Sequence, residues 1–160
     1  MKYFVSCFLL LIPILFWNVL FASSLPRGYS MDVFWKDIPG YIGATENALR
    51  AMVILLPLLM PLKIESRSQK LGLAVFVAGA AIYFASWVAL IYFPESAWSR
   101  SIFGFMAPAV TPIVWLTGIG LIGETLFAGL AYHPIVYIGL SALFVVFHSI
   151  HSYIVFVRLQ

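Results

Sequence analysis

From Leu71 to Phe93 the chain carries no charged residue, and from Ile102 to Leu130 it carries only Glu124. Runs of that length match the hydrocarbon of a bilayer, which a helix crosses in about 20 apolar residues. In lipid each backbone N–H and C=O must be satisfied inside the structure, and helices do this within one segment. The expected fold is therefore all-α, a polytopic membrane helix bundle of about five transmembrane helices. Hydrophobic residues make up 63% of the 160 residues, charged residues 9%, and mean hydropathy is +1.03. Spans consume nearly the whole chain, so residues 1–160 are expected to form a single integral-membrane domain without a separate soluble one.

The expected spans are about 4–22, 43–62, 71–93, 103–130 and 135–157. The first run follows Lys2 and ends at Ala22-Ser23-Ser24, small residues that suit a signal-peptide cleavage site. Its length, with Pro13, Trp17 and Asn18 in the later half, fits an uncleaved signal-anchor helix better; cleavage would leave four spans. Residues 24–44 form a polar and aromatic connection whose middle, Met31 to Ile38, suits a segment lying at the membrane surface. Pro57 and Pro61 are expected to kink the second span near its end. Ala74, Ala78, Ala81 and Ala85, at four-residue spacing on the third span, suit close helix contact. The fourth run is longer than one crossing needs and holds Pro108 and Pro112, which predicts tilting or a break. No internal repeat supports an inverted-repeat transporter.

Loop charges set the expected orientation. Lys63, Arg67 and Lys70 share one short connection and mark it cytoplasmic, and Lys2 marks the N-terminus likewise. With five spans the C-terminus and residues 24–44 then lie on the outer side of a bacterial-type plasma membrane. Arg27, Lys36, Arg100 and Arg158 fall on that side too and weaken the raw count. The net charge of +3 is spread over loops and span ends, with no basic patch interleaved with aromatics, so no nucleic-acid partner is expected. Aromatics near span ends, such as Trp35, Tyr41, Tyr92, Trp98 and Tyr132, resemble interfacial belts. One cysteine, Cys7, allows no internal disulfide and reads as a small apolar residue.

Ionisable residues inside spans are costly and mark candidate sites. Glu46, Asn47 and Arg50 begin the second span, and Glu46 and Arg50 sit four apart on one helix face. His148 and His151, three apart, share a face of the last span, with Ser141 and Arg158 one heptad beyond on either side. Two such imidazoles are candidate metal ligands or a proton relay, or hydrogen-bond across helices. Glu124 follows Gly118, Gly120 and Gly123, a literal G-x-G-x-x-G. Without a βαβ unit this is no nucleotide motif, and the glycines suit a close-packed neighbour instead.

At 1.5 Å per residue His148 lies about 20 Å into its span, at the level of Glu46 and Arg50. These two groups are expected to form one outward-facing polar pocket roofed by the Trp35 segment. Glu124, about 9 Å from the other end of its span, is expected as a buried acid in a separate layer.

Three function classes follow. The first is a non-enzymatic binding or accessory protein holding a lipid headgroup or small ligand, with a membrane-protein partner or homo-oligomer as its setting. The second is an intramembrane enzyme, metal-assisted through His148 and His151 with Glu46 as base. The third is a proton-coupled carrier using Glu124 and the histidines. No cofactor is named by any motif.

Overall fold

The fold, taken from a computed structural model, is described for residues 5–127 and 132–160. Among the described residues eight α-helices follow in order: α1 Phe8–Phe21, α2 Met31–Phe34, α3 Gly40–Leu59, α4 Arg67–Tyr92, α5 Ala97–Arg100, α6 Ile102–Val110, α7 Pro112–Ile122 and α8 Pro134–Arg158. Among the described residues no strand forms, apart from a lone bridge between Ser6 and Pro61. Four helical stretches are long and apolar enough to cross a membrane: α3, α4, α6 with α7, and α8. The chain is an all-α membrane helix bundle, and α1, continued by a 3-10 turn to Ser24, is its shorter apolar member.

Local chemistry moves several span limits. Pro39 starts α3 at Gly40, three residues before the expected boundary, because proline presets the turn that opens a helix. Ser66 and Gln69 form a capping box, each side chain bonding the other's backbone N–H. That box draws α4 back into the basic turn as far as Arg67. At the other end of α3 the helix stops at Leu59, so Pro57 lies inside it but Pro61 does not. Pro61 pairs instead with Ser6, and the Cys7 N–H donates to the Met60 carbonyl at 2.9 Å. This ties the start of α1 to the end of α3.

The long fourth run is broken as its prolines predict. Pro112 has no N–H to continue the ladder, and α6 passes to α7 through Thr111. α7 then ends at Ile122, eight residues short of the expected limit. Gly123 leaves the helical region there, and the Phe127 N–H donates to the Leu59 carbonyl at 2.9 Å. The rest of that expected span, 128–130, lies outside the described residues. Glu124 therefore sits half-buried beyond a helix end, not within a span.

The most extensive contact in the bundle joins α4 to α7. Its basis is backbone approach at glycine. A Cβ on Gly79 would meet the Trp115 backbone N at 2.4 Å, and one on Gly118 the Phe76 backbone N at 2.5 Å. The expected contact face of α4 was the alanine row, and this is corrected. Ala74, Ala78, Ala81 and Ala85 are exposed, while Gly72, Phe76, Gly79, Ala80 and Tyr83 turn inward. The glycines remove the last steric layer between the helices, which alanine cannot do. Gly120 and Gly123 instead seat side chains, those of Ile138 on α8 and of Met60.

The chain thus alternates direction, with two distinct ends. The basic-turn end gathers Cys7, Met60, Ser66 and Glu124, where Ser66 Oγ donates to Glu124 Oε1 at 2.8 Å. The opposite end gathers residues 22–38, α5 and the end of α8. There Tyr29 Oη donates to the Phe105 carbonyl at 2.7 Å, and Arg158 donates to the carbonyls of Val33 and Lys36. Those bonds fold segment 22–38 down across the bundle as a lid.

Candidate functional site

Glu46 is the centre of the site. It lies near the start of α3, facing α8, and its side chain is 0% exposed. An isolated carboxylate there would be expensive, so its partners define it. Oε1 receives Arg50 Nη2 from the next turn of α3, and His148 Nδ1 from α8 at 2.9 Å. Oε2 faces His151 Nδ1 at 2.5 Å. The three-residue spacing on α8 lets both imidazoles reach one carboxyl group.

His151 is held from both sides. Its Nε2 lies 2.9 Å from the Phe34 carbonyl of the lid. A carbonyl only accepts, so Nε2 carries a hydrogen. The short Nδ1–Oε2 contact also needs one proton between its atoms. The pair is then either imidazolium with carboxylate or imidazole with carboxylic acid, and it is neutral as a unit either way. Phe34 and Trp35 pack on the His151 ring at centroid distances of 4.3 and 4.7 Å.

Arg50 remains as one positive charge that the neutral pair does not cancel. Its guanidinium lies 5.9 Å from the centroids of both Trp35 and Phe144, which favour a cation over their faces. Arg50 Nη1 also donates to Asn47 Oδ1 at 3.2 Å. His148 stacks on Phe144 with ring planes 7° apart, and only its Nδ1 has a hydrogen-bond partner among the described residues.

Arg50 and His148 open onto a cavity of about 390 Å³ beneath the lid. α1 contributes Leu11, Ile14, Leu15 and Asn18; the lid contributes Tyr29, Met31, Phe34 and Trp35; α4, α6 and α7 add Tyr83, Trp87, Phe105 and Trp115. The wall is apolar and aromatic except for Arg50, His148, Asn18, Ser152, the hydroxyls of two tyrosines and tryptophan indole N–H groups, of which those of Trp87 and Trp115 are buried without a partner among the described residues. One of those hydroxyls, Tyr83 Oη, donates to Asn18 Oδ1 at 2.6 Å, and the other is spent on Phe105. Burial pushes the Tyr29 phenol far above its ordinary pKa, which keeps its hydroxyl a donor even in alkaline solution.

The sequence-derived candidates thus divide. Glu46, Arg50, His148 and His151 meet in one cluster under Trp35. Asn47 is exposed and touches the cluster only through Arg50, while Ser141 is buried on α8 away from these contacts. Glu124 belongs to the basic-turn end with Ser66. Metal ligation by both histidines is disfavoured by the bonding itself. Both nitrogens of His151 are engaged, and both Nδ1 atoms converge on a carboxyl group, which leaves His151 no lone pair for a cation. Among the described residues no group of three His, Cys, Asp or Glu side chains is placed to hold a metal.

Sequence reasoning missed the Phe34 carbonyl, the Tyr29 clasp and the Asn18–Tyr83 bond. A main-chain acceptor carries no residue signal. Asn18, a polar residue inside an apolar run, was the one visible cue. No family model, curated protein or solved structure significantly matches this chain.

Proposed function

We propose that this protein binds an amphiphile with an anionic head in the cavity beneath the lid, without catalysing a reaction on it. The observation that carries this reading is the uncancelled Arg50 charge on the wall of a largely apolar cavity. A charge in such surroundings is stabilised by a counter-ion, and the apolar lining suits a hydrocarbon chain behind it. A guanidinium pairs well with the oxygens of a carboxylate, phosphate or sulfonate, and three of the five Arg50 N–H groups have no partner among the described residues. From Lys2 and the Lys63–Lys70 turn we place the lid end on the outer side of a plasma membrane.

The test uses protein in nanodiscs of zwitterionic lipid and three probes: decyl sulfonate, uncharged decyl maltoside, and methanesulfonate without a chain. Decyl sulfonate should raise the melting temperature in a saturable way, and the other two should not. Arg50→Lys should weaken that shift, because lysine lacks the planar fork. An equal shift from decyl maltoside contradicts an anion site, and an equal shift from methanesulfonate contradicts an amphiphile site.

One observation favours a second reading, an intramembrane enzyme. Glu46 holds His148 through Nδ1, and this cavity-lining residue keeps Nε2 without a partner among the described residues, a candidate general base. Mass spectrometry of bound ester amphiphiles would then show a product with wild type and none with His148→Gln.

A further inference from the structure

We infer that the anionic head is bound together with one proton, taken up at Nε2 of His148; this rests on the binding reading above. The bonding around Glu46 leads there by elimination. Oε1 is an acceptor, whether the group is carboxylate or acid with its hydrogen on Oε2, so His148 Nδ1 carries the hydrogen of that 2.9 Å bond. In the neutral ring Nε2 is then a bare lone pair. Its residue lines the cavity, its side chain is 21% exposed, and Nε2 has no hydrogen-bond partner among the described residues. A lone pair repels an anionic oxygen, whereas an N–H at the same place donates to it and adds a second positive charge beside Arg50. Bound anion and proton therefore stabilise each other at one ring.

The surroundings leave His148 as the group free to change. On α8, His151 has both nitrogens engaged, and Arg158 is held on lid carbonyls. On α3, both Glu46 oxygens are engaged, by Arg50, His148 and His151, and Arg50 is always charged. The lid faces the cavity with the Tyr29 phenol, bonded to Phe105, and with Phe34 and Trp35. α1 offers uncharged Asn18, α4 offers Tyr83 bonded to it, and α6 and α7 bring no titratable side chain to the cavity. The lid thus closes over a site with one proton position open to the ligand.

The sign follows from linkage. An anion that favours the charged ring binds best when His148 is already protonated. Its affinity therefore falls as pH rises. Decyl sulfonate is the suitable probe, because its own head does not titrate in this range. Calorimetric titrations of the full chain in nanodiscs, in two buffers of different ionisation enthalpy across about pH 5–8, count the protons taken up. Wild type should take up a proton on binding, rising toward one per ligand as pH increases. His148→Gln, whose amide can still donate to Glu46, should bind more weakly with no uptake. Binding without uptake at every pH overturns the coupling and leaves the anion site standing. Equal uptake by His148→Gln overturns the assignment to this ring, and absence of any binding overturns the underlying reading. Should the variant not fold, the wild-type pH series decides alone.

Discussion

At the scale of single residues the site is an exercise in partner counting. Glu46 is wholly buried and has three partners, and removing it strands Arg50 and takes from His151 the group that shares its proton. Glu46→Ala should therefore destabilise the protein by about 3–5 kcal/mol, the scale of a buried ion pair losing one member. His148→Ala removes one hydrogen bond from a partly exposed ring and should cost about 1 kcal/mol. Chemical unfolding in mixed micelles measures both, and equal losses would mean the carboxyl group is not the hub. The Glu46–Arg50 spacing and the His148–His151 spacing were both legible in the sequence. Their meeting was foreseen from depth along the helices. What spacing could not show was the division of labour: His151 locked between a carboxyl group and the Phe34 main chain, His148 bonded through one nitrogen alone among the described residues.

At the scale of elements the glycines carry more weight than the alanine row. Four-residue spacing made Ala74 to Ala85 look like a contact face, yet that face points away from the bundle. Gly72 and Gly79 mark the true one, because only a missing Cβ admits a backbone at 2.4–2.9 Å. Gly79→Ala should destabilise by about 1–3 kcal/mol through overpacking against Trp115, whereas Ala78→Leu on the exposed side should change little. Thermal unfolding of the two variants checks this, and the reverse order would contradict the α4–α7 contact. The lid is a second element whose hold is specific. Tyr29→Phe removes its bond to Phe105, so hydrogen exchange at Met31–Lys36 should quicken while α4 and α7 stay protected. Unchanged exchange there would show that the Arg158 and His151 contacts hold the lid without Tyr29. The Met31–Ile38 composition announced a surface segment; its clasps are side chain to main chain and left no pattern to read.

At the scale of the whole molecule, hydropathy alone announced a membrane bundle, since runs of this length have few other uses. Span limits were less legible because caps and glycines set them, as Ser66 with Gln69 and Gly123 do here. The first helix is the informative case. α1 has 14 residues and rises only about 21 Å, yet the chain on its two sides lies at opposite ends of the bundle, against Met60 and Phe105. Reporters at the N-terminus and after Lys70 should read the same side, and one after Gln160 the other. A different side for the first two would mean α1 does not cross. The cavity bounded by α1, the lid and α8 is the proposed binding site, and a crystal structure grown from lipidic mesophase with decyl sulfonate shows what it holds. The prediction is a sulfonate head within hydrogen-bond distance of Arg50 and His148 Nε2, with its chain running among Leu11, Ile14 and Trp115. A sulfonate found elsewhere, with Arg50 turned away from the cavity, would contradict it.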